Sequence, residues 1–475
     1  MHRLILVLLI VVAYGSCLNY PFVYDDKAGI EADSSITNAK TVGDAAHVLF
    51  EGWRPLTRFS YALTHALFGF SRPPFHVTNI VIHIINTLLV FEIAILLATR
   101  WMPDFNPVYF GFAAAAVHAV HPLYTEAVTY ISGRSSSLCG LFYFACLFFV
   151  IRGLGGRTTA RRTVWFCAAG AAGIGAWASK EEAITLPFVV AVLLLLYGYR
   201  KAAIGLIVLP MAVVAARWHE FAGLFHETAA NQTFVDAGLG SSVQAWSFML
   251  SIIKAAVFYY LSRFILPVTQ SIDPYFRPVQ SILEPGFLIA AAVIAALVAV
   301  AWHFRQKQPL VTFSIAALLV SPLLAYAVIP LPDVVAEHRV YICGLGIDLL
   351  FAWIVTRAQR LMLPLLVCLT ISLFAATVMR NSVWQTEVKL WQDAATSAPN
   401  LVRPHLNLAV AFQREGQDER AVLEYRKALA IQPGVPFAYS NMAMIYFKQG
   451  RIGEADLLMQ RARELSNSGI KGSHP

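Results

Sequence analysis

The chain has 475 residues, of which 58% are hydrophobic and 13% charged, and its mean hydropathy is +0.61. Such a composition excludes an ordinary soluble domain and points to an all-α protein that crosses a membrane many times. The net charge of +8 does not indicate nucleic acid, because the basic residues gather at the ends of apolar segments, where the positive-inside rule puts them.

The first apolar segment, Leu4–Leu18, reads as an uncleaved span running from inside to outside, since no convincing A-x-A cleavage site follows it. Just beyond it Asp25 and Asp26 sit at the far rim among Tyr20, Phe22 and Tyr24, aromatic residues that favour headgroup depth. Two acids there are either solvated or include a base, because a partly desolvated carboxylate is well suited to take a proton from a hydroxyl. Arg54 and Arg58 follow, four apart. If Pro55 opens a helix they share a face and suit a phosphate; the alternative is membrane-surface basicity.

Ten further spans are expected, roughly at 76–98, 107–121, 135–151, 163–178, 183–199, 202–217, 286–302, 309–328, 340–356 and 361–378. Alternating from an inner N-terminus places Arg152, Arg157, Arg161, Arg162, Arg200, Lys201, Arg305, Lys307, Arg357 and Arg360 inside. It places the loops 19–75, 122–134, 218–285 and 329–339 outside. Residues 246–265, with internal Lys254 and Arg263, are expected to lie in the interface or to re-enter.

Within these segments His76, Asn79, His83 and Asn86 recur at three and four, giving one polar stripe through an apolar span. The stripe can bond neighbouring helices, line a cavity or, least favoured, bind a metal. His121, Glu126 and Arg134 lie at an outer face, where Glu126 is either a second carboxylate at the reaction or the ion-pair partner of Arg134. Lys180, before Glu181 and Glu182, either holds a phosphate or snorkels to a headgroup. The section 218–285 reads as a polar lid; its His219-Glu220 and His226 lack the HExxH spacing of a zinc site. Glu337, His338 and Arg339 form an acid-oriented cationic cluster suited to phosphate.

After Arg380 the composition turns charged and alanine-rich. Asn407 and Asn441, Ala409 and Ala443, Gly416 and Gly450, and Ala421 and Ala455 repeat at the 34-residue period of tetratricopeptide helices. The domains expected are 1–379 in the membrane, 380–466 as a tetratricopeptide unit and 467–475 as a frayed tail.

FVYDDKAGI, WRPLTRFSYAL, PPFHVTNIVIHIINTLL, HPLYTEAVTYISGRSSSL, ASKEEAITLP and AEHRVYICGLG, in this order before a tetratricopeptide-like tail, resemble the transmembrane and tetratricopeptide-repeat O-mannosyltransferase-like family. Its members are glycosyltransferases of the GT-C class, which use lipid-linked sugars. The resemblance implies a GT-C-like helical domain, a polyprenyl phosphate sugar donor with mannose the first guess, and inverting transfer to an extracytoplasmic hydroxyl, as in protein O-glycosylation. It implies that the Asp25-Asp26 pair is catalytic without separating its members, and that Asp273 falls at a cavity rim; of the pair we favour Asp25 as base, with Asp26 positioning the acceptor or balancing nearby positive charge. Arg54, Arg58, Lys180 and Arg339 are then candidates for the donor phosphate, and His76, His83, His121, Glu126, Arg134, Glu181, Glu337 and His338 for lining or supporting the cavity. The chain departs from the family form near AERYLYLPS at its AEHRVYICG. No cofactor and no obligatory metal are expected, and the chain has no GxGxxG or P-loop for a nucleotide. Membrane lipids and a polypeptide acceptor or envelope protein at the C-terminal helices are the expected partners, with no nucleic acid. The expected location is a bacterial inner membrane, N-terminus cytoplasmic and C-terminal domain periplasmic. The competing reading is a non-enzymatic tetratricopeptide scaffold; a transporter is weaker, since the spans show no inverted repeat.

Overall fold

A computed structural model describes residues 1–216, 245–328 and 333–471, and among these it is helical with no strand. Among the described residues six helices are long and apolar enough to cross a membrane: His2–Asn19, Arg72–Trp101, Arg134–Leu154, Trp246–Ile265, Pro285–Phe304 and Gln359–Val383. Pro107–Val120 and Pro309–Leu324 are shorter apolar helices. The protein is therefore a polytopic membrane protein. Prolines in the first turn start many of these helices, as at Pro107 and Pro285, where the missing N–H would have had no helical partner. Helix Pro285–Phe304 buries only Ala290 and exposes Leu288, Ile289, Val298 and Trp302, the surface of a helix bathed in lipid.

The described residues divide into two compact units, one comprising 1–216, 245–270, 278–328 and 333–384, the other 271–277 and 385–471. In the first, Leu6 packs with Phe91, Ala115 and Ala116, so the first helix leans on the helices Arg72–Trp101 and Pro107–Val120. The stretch after the first helix is a folded layer, not a loose loop: Phe22, Ile30, Ile36, Ala45, Tyr61, Phe75 and Ile131 share one buried cluster. Burying each of the larger of these side chains stabilises the layer by about 1.5–3 kcal/mol.

Residues 246–265, expected in the interface or re-entrant, form continuous helix whose length and apolarity would suffice to cross. The two charges of this helix are accommodated locally. Lys254 pairs with Glu284 at 2.6 Å, and the Arg263 guanidinium lies 3.9 Å from the centre of the Tyr259 ring.

In the second unit, helices Val402–Arg414 and Asp418–Ile431 are followed by Pro436–Lys448 and Ile452–Lys471, each start recurring after the 34 residues of a tetratricopeptide. Gly416 and Gly450 turn the two hairpins at φ 74° and 75°, a conformation that side chains disfavour. A groove of about 570 Å³ is lined by Thr396, His405, Phe412, Leu423, Glu424 and Lys427, among others. Asp273, expected at a cavity rim, accepts from Arg403 at 2.7 Å within this unit. Regular helix persists to Lys471, beyond the residue-467 start expected for the tail. The lid expected over 218–285 falls, for 217–244, outside the described residues, as does the His219–His226 pattern.

Candidate functional site: an aspartate and a cationic cluster joined by one loop

The structure separates the two members of the acidic pair. Tyr24 adopts φ 50°, an uncommon conformation for a bulky residue, and the turn it makes is closed by Asp26 Oδ2, which accepts the Val23 N–H at 3.0 Å. Asp26 Oδ1 accepts from both the N–H and the hydroxyl of Ser132, at 2.8 and 2.5 Å. Asp26 is 1% exposed, and burial pushes its carboxyl up to about 7 against those hydrogen bonds, with the Asp25 charge adding to the rise. Asp25 is exposed, and its backbone N–H donates to the Tyr130 hydroxyl at 3.0 Å. Asp26 thus ties the acidic turn to the loop 121–134 and Asp25 is presented outward.

That loop is braced from below. Gly133 lets it fold back, since a Cβ there would run into the Glu126 carbonyl. Asn79 donates to the carbonyls of Val128 and Tyr130 at 3.1 and 3.2 Å and accepts from Arg134 at 2.7 Å. Arg134 is fully buried, donates to the Phe75 carbonyl at 2.9 Å and lies 4.5 Å from the Tyr61 ring centre. The expected Glu126–Arg134 pair does not form; Arg134 points into the layer beneath the loop and is solvated by neutral oxygens and aromatic faces. The Tyr130 ring stacks on Trp384, centroids 5.2 Å apart.

Glu126, on the same loop, faces the segment 333–340. Its Oε2 accepts the Glu337 N–H at 3.0 Å and its Oε1 lies 2.6 Å from His338 Nδ1. Glu337 is fully buried, accepting from Tyr259 at 3.0 Å and Gln270 at 3.2 Å, with Arg380 at 4.0 Å. Lys180 is 2% exposed and bonds Glu182 at 2.5 Å and Ser136 at 2.7 Å. Arg339 donates to the Asp333 carbonyl at 2.8 Å. Lys180, Arg339 and Arg54 all act electrostatically on His338, and Arg380, Arg339 and Lys180 on Glu126, so these cations bear on one acid–imidazole contact.

The two arginines expected to grip phosphate together do not share a face. Arg54 caps the helix Pro55–Phe68 in a left-handed conformation, φ 53°, so the four-residue helical spacing does not apply to it. It makes a two-pronged pair with Glu181, one bond at 2.8 Å, which against the push of burial holds that carboxyl down to about 2. Arg58 turns instead to Asp33 at 3.2 Å, to Ser35 at 2.6 Å and to the Glu51 carbonyl.

The histidine stripe bonds helices to one another. His76 meets the Tyr20 carbonyl at 3.2 Å, His83 the Tyr341 hydroxyl at 2.7 Å, and Asn86 donates to the same hydroxyl at 2.9 Å. His121 Nε2 meets the Phe264 carbonyl at 3.1 Å while its Nδ1 accepts the Leu123 N–H, and burial pushes its imidazole down to about 4. Among the described residues no group of three or more His, Cys, Asp or Glu is arranged for a metal. Sequence reading missed Tyr130, Ser132 and Arg380 at the site. Arg380 read as the charge that ends an apolar segment; Tyr130 and Ser132 stood inside HPLYTEAVTYISGR with no spacing that set them apart.

These features define a polytopic helical membrane protein in which one loop holds an exposed aspartate through Tyr130 and meets a group of cations through Glu126. No family model matches the chain. It is 25% identical over 462 residues to a protein O-mannosyl-transferase of Caenorhabditis elegans, covering 91% of this chain and 63% of that protein. A human protein O-mannosyl-transferase is 23% identical over 506 residues, 91% of this chain and 55% of its own. These proteins are homologues of this chain over most of its length, in agreement with the motif resemblance, and the chain spans little more than half the length of the human relative. Among solved structures, ArnT from Cupriavidus metallidurans bound to undecaprenyl phosphate aligns with 94% of this chain and 77% of its own, at 15% identity and a TM-score of 0.41.

Proposed function

We propose that this protein is a GT-C-type glycosyltransferase that moves a sugar, mannose first among the candidates, from a polyprenyl phosphate to an extracytoplasmic hydroxyl, with a polypeptide as acceptor. The observation that carries the reading is the loop 121–134, which holds exposed Asp25 through Tyr130 at one end and meets the Lys180, Arg339 and Arg380 cluster through Glu126 at the other. Support comes also from homologues named protein O-mannosyl-transferase. Asp25 takes the acceptor proton as its oxygen attacks the anomeric carbon, and the fixed cations stabilise the departing lipid phosphate. One direct displacement inverts the anomeric centre. Because the charge is met by side chains, no metal is required in this scheme. The groove of the C-terminal unit is where the acceptor polypeptide would be held, and with the arginine clusters inside the site loops would face outside.

The test is the purified full-length protein incubated with labelled polyprenyl phosphate sugars and hydroxyl-bearing peptides. Inverted glycosyl product, insensitive to chelator, is expected. A stable complex with envelope proteins and no turnover with any donor would replace the enzyme by a scaffold. For orientation, a single cysteine near residue 470 should label from outside and one near 157 should not.

A further inference from the structure

The pair Glu126–His338 is unused in the scheme above, yet it is the most closely held acid–imidazole contact at the site. Both Glu126 oxygens are engaged, Oε2 by the Glu337 N–H and Oε1 by His338 Nδ1 at 2.6 Å, and Glu126 is only 2% exposed. A contact of that length between a carboxyl oxygen and a ring nitrogen holds one proton between them. The His338 side chain keeps 26% of its surface, and its Nε2 makes no hydrogen bond to a described residue. The pair is therefore a buried carboxyl that reaches the site through an imidazole.

The surroundings give a proton something to do. The cations are largely compensated where they stand: Lys180 by Glu182, Arg54 by Glu181, and Arg380 by Glu337. A lipid phosphate that leaves gains a second negative charge, and a phosphate monoester releases its second proton near pH 6. Among so many carboxylates that second charge is poorly met by paired cations alone.

Resting on the glycosyl-transfer reading, we propose that Glu126 and His338 form a proton relay that protonates the departing lipid phosphate. The acceptor oxygen bonds to the anomeric carbon and its proton passes to Asp25. The bond from that carbon to the phosphate oxygen breaks, leaving its electron pair on the oxygen. That oxygen takes the proton from His338 Nε2, while Nδ1 takes the proton from the Glu126 carboxyl. His338 ends neutral in its other tautomer and Glu126 ends as carboxylate; solvent then returns a proton to Glu126 and removes one from Asp25.

The electrostatics agree with the required starting form. Burial pushes Glu126 up to about 7, against the pull of Arg380, Arg339 and Lys180. Burial, with the charges of Lys180 and Arg339, pushes His338 well below the ordinary imidazole value. The other groups facing the pair are Glu182 and Arg54 across the site, Glu337 on the same turn, and Tyr259 and Tyr260 from the helix 246–265.

A proton donor must be protonated, so turnover should fall as pH rises through the value set by the pair, and Asp25 should set the acid limb. The experiment measures kcat and donor KM against pH for the wild type, His338→Gln and Glu126→Gln, with polyprenyl phosphate mannose as donor. His338→Gln should lower kcat about 10²-fold, leave KM within a few-fold and abolish the alkaline limb. Glu126→Gln, which preserves shape, should also remove that limb and serves if the first variant folds poorly, as judged by donor binding. Wild-type turnover with an unchanged alkaline limb in both variants overturns the relay alone. A raised KM with the limb intact also overturns it, leaving His338 as a phosphate contact. A wild type that transfers nothing from any donor sinks the glycosyl-transfer reading, and the relay falls with it.

Discussion

Two buried polar networks lie in the membrane unit and differ in what they leave accessible. In the loop-face cluster, Asp25 is exposed and His338 keeps part of its surface, beside Lys180, Arg339 and Arg380. Deeper, His118 meets Asp348 at 2.7 Å, Tyr124 reaches the same carboxylate at 3.1 Å, and His83 and Asn86 share the Tyr341 hydroxyl, every one of these residues fully buried. The deeper network binds the helices Arg72–Trp101, Pro107–Val120 and Gly344–Arg357 together, as polar groups do in lipid where they have no water to turn to. It ends at Tyr124 and Tyr341, two and three residues from Glu126 and His338, so it is the footing on which the outer cluster stands. Both hold an acid against an imidazole; access and cations mark the site.

The largest effect expected to separate the two networks comes from a matched pair of isosteric changes. Asp25→Asn should reduce transfer by roughly 10²–10⁴-fold with donor binding retained, and Asp26→Asn should reduce it less, since that carboxyl holds the turn. Asp348→Asn should leave kcat per folded molecule unchanged. Equal losses from Asp25→Asn and Asp348→Asn would erase the distinction between site and footing. Next in size, Lys180→Met should lower turnover on the order of 10²-fold, as removing one charge-stabilising donor does. It also strands the buried Glu182, so the melting point must be read beside the rate. Smaller again is Tyr341→Phe, which deletes the hydroxyl shared by His83 and Asn86 and should lower stability by about 1–3 kcal/mol without moving the pH profile of transfer. A shifted pH profile in that variant would make the deeper network part of the chemistry.

The helical membrane class was legible from composition and period, and the C-terminal hairpins from the 34-residue repeat that the helices keep. The loops carrying Asp25, Glu126, Lys180 and His338 were singled out by motif, and the structure brings their partners together. What could not be read was pairing across distant segments. Arg54 and Arg58 look like one phosphate clamp at four-residue spacing, but a left-handed cap and two acids, Glu181 and Asp33, send them apart. Lys254 and Arg263 find Glu284 and the Tyr259 ring, partners that lie elsewhere in the sequence or depend on a side-chain direction. A sequence records each charge and not its counter-charge, so the cations at this site were countable while their compensation was hidden.

A last effect is on stability alone and has opposite sign at two acids near the site. Asp26 has an ordinary value of 3.8 and about 7 when folded, so the folded protein holds a proton that the unfolded chain has released across that interval. Stability from this group therefore falls as pH rises from about 4 to about 7 and is flat above. Glu181 runs the other way, 4.5 unfolded and about 2 folded, so its contribution is full above about pH 4.5 and is lost as pH falls toward 2. Asp26→Asn removes the titration while keeping the shape, and its stability relative to wild type should rise between about pH 4 and pH 8 by at most about 4 kcal/mol, less as the turn relaxes. Glu181→Gln leaves Arg54 without its charged partner and should be destabilising near neutral pH, with the deficit shrinking below about pH 4. Thermal melts in detergent across that range read both at once. A Asp26→Asn difference that does not change with pH would mean that the acid is charged in the folded layer, and the division of the pair into an outward base and a buried anchor would then have lost its physical ground.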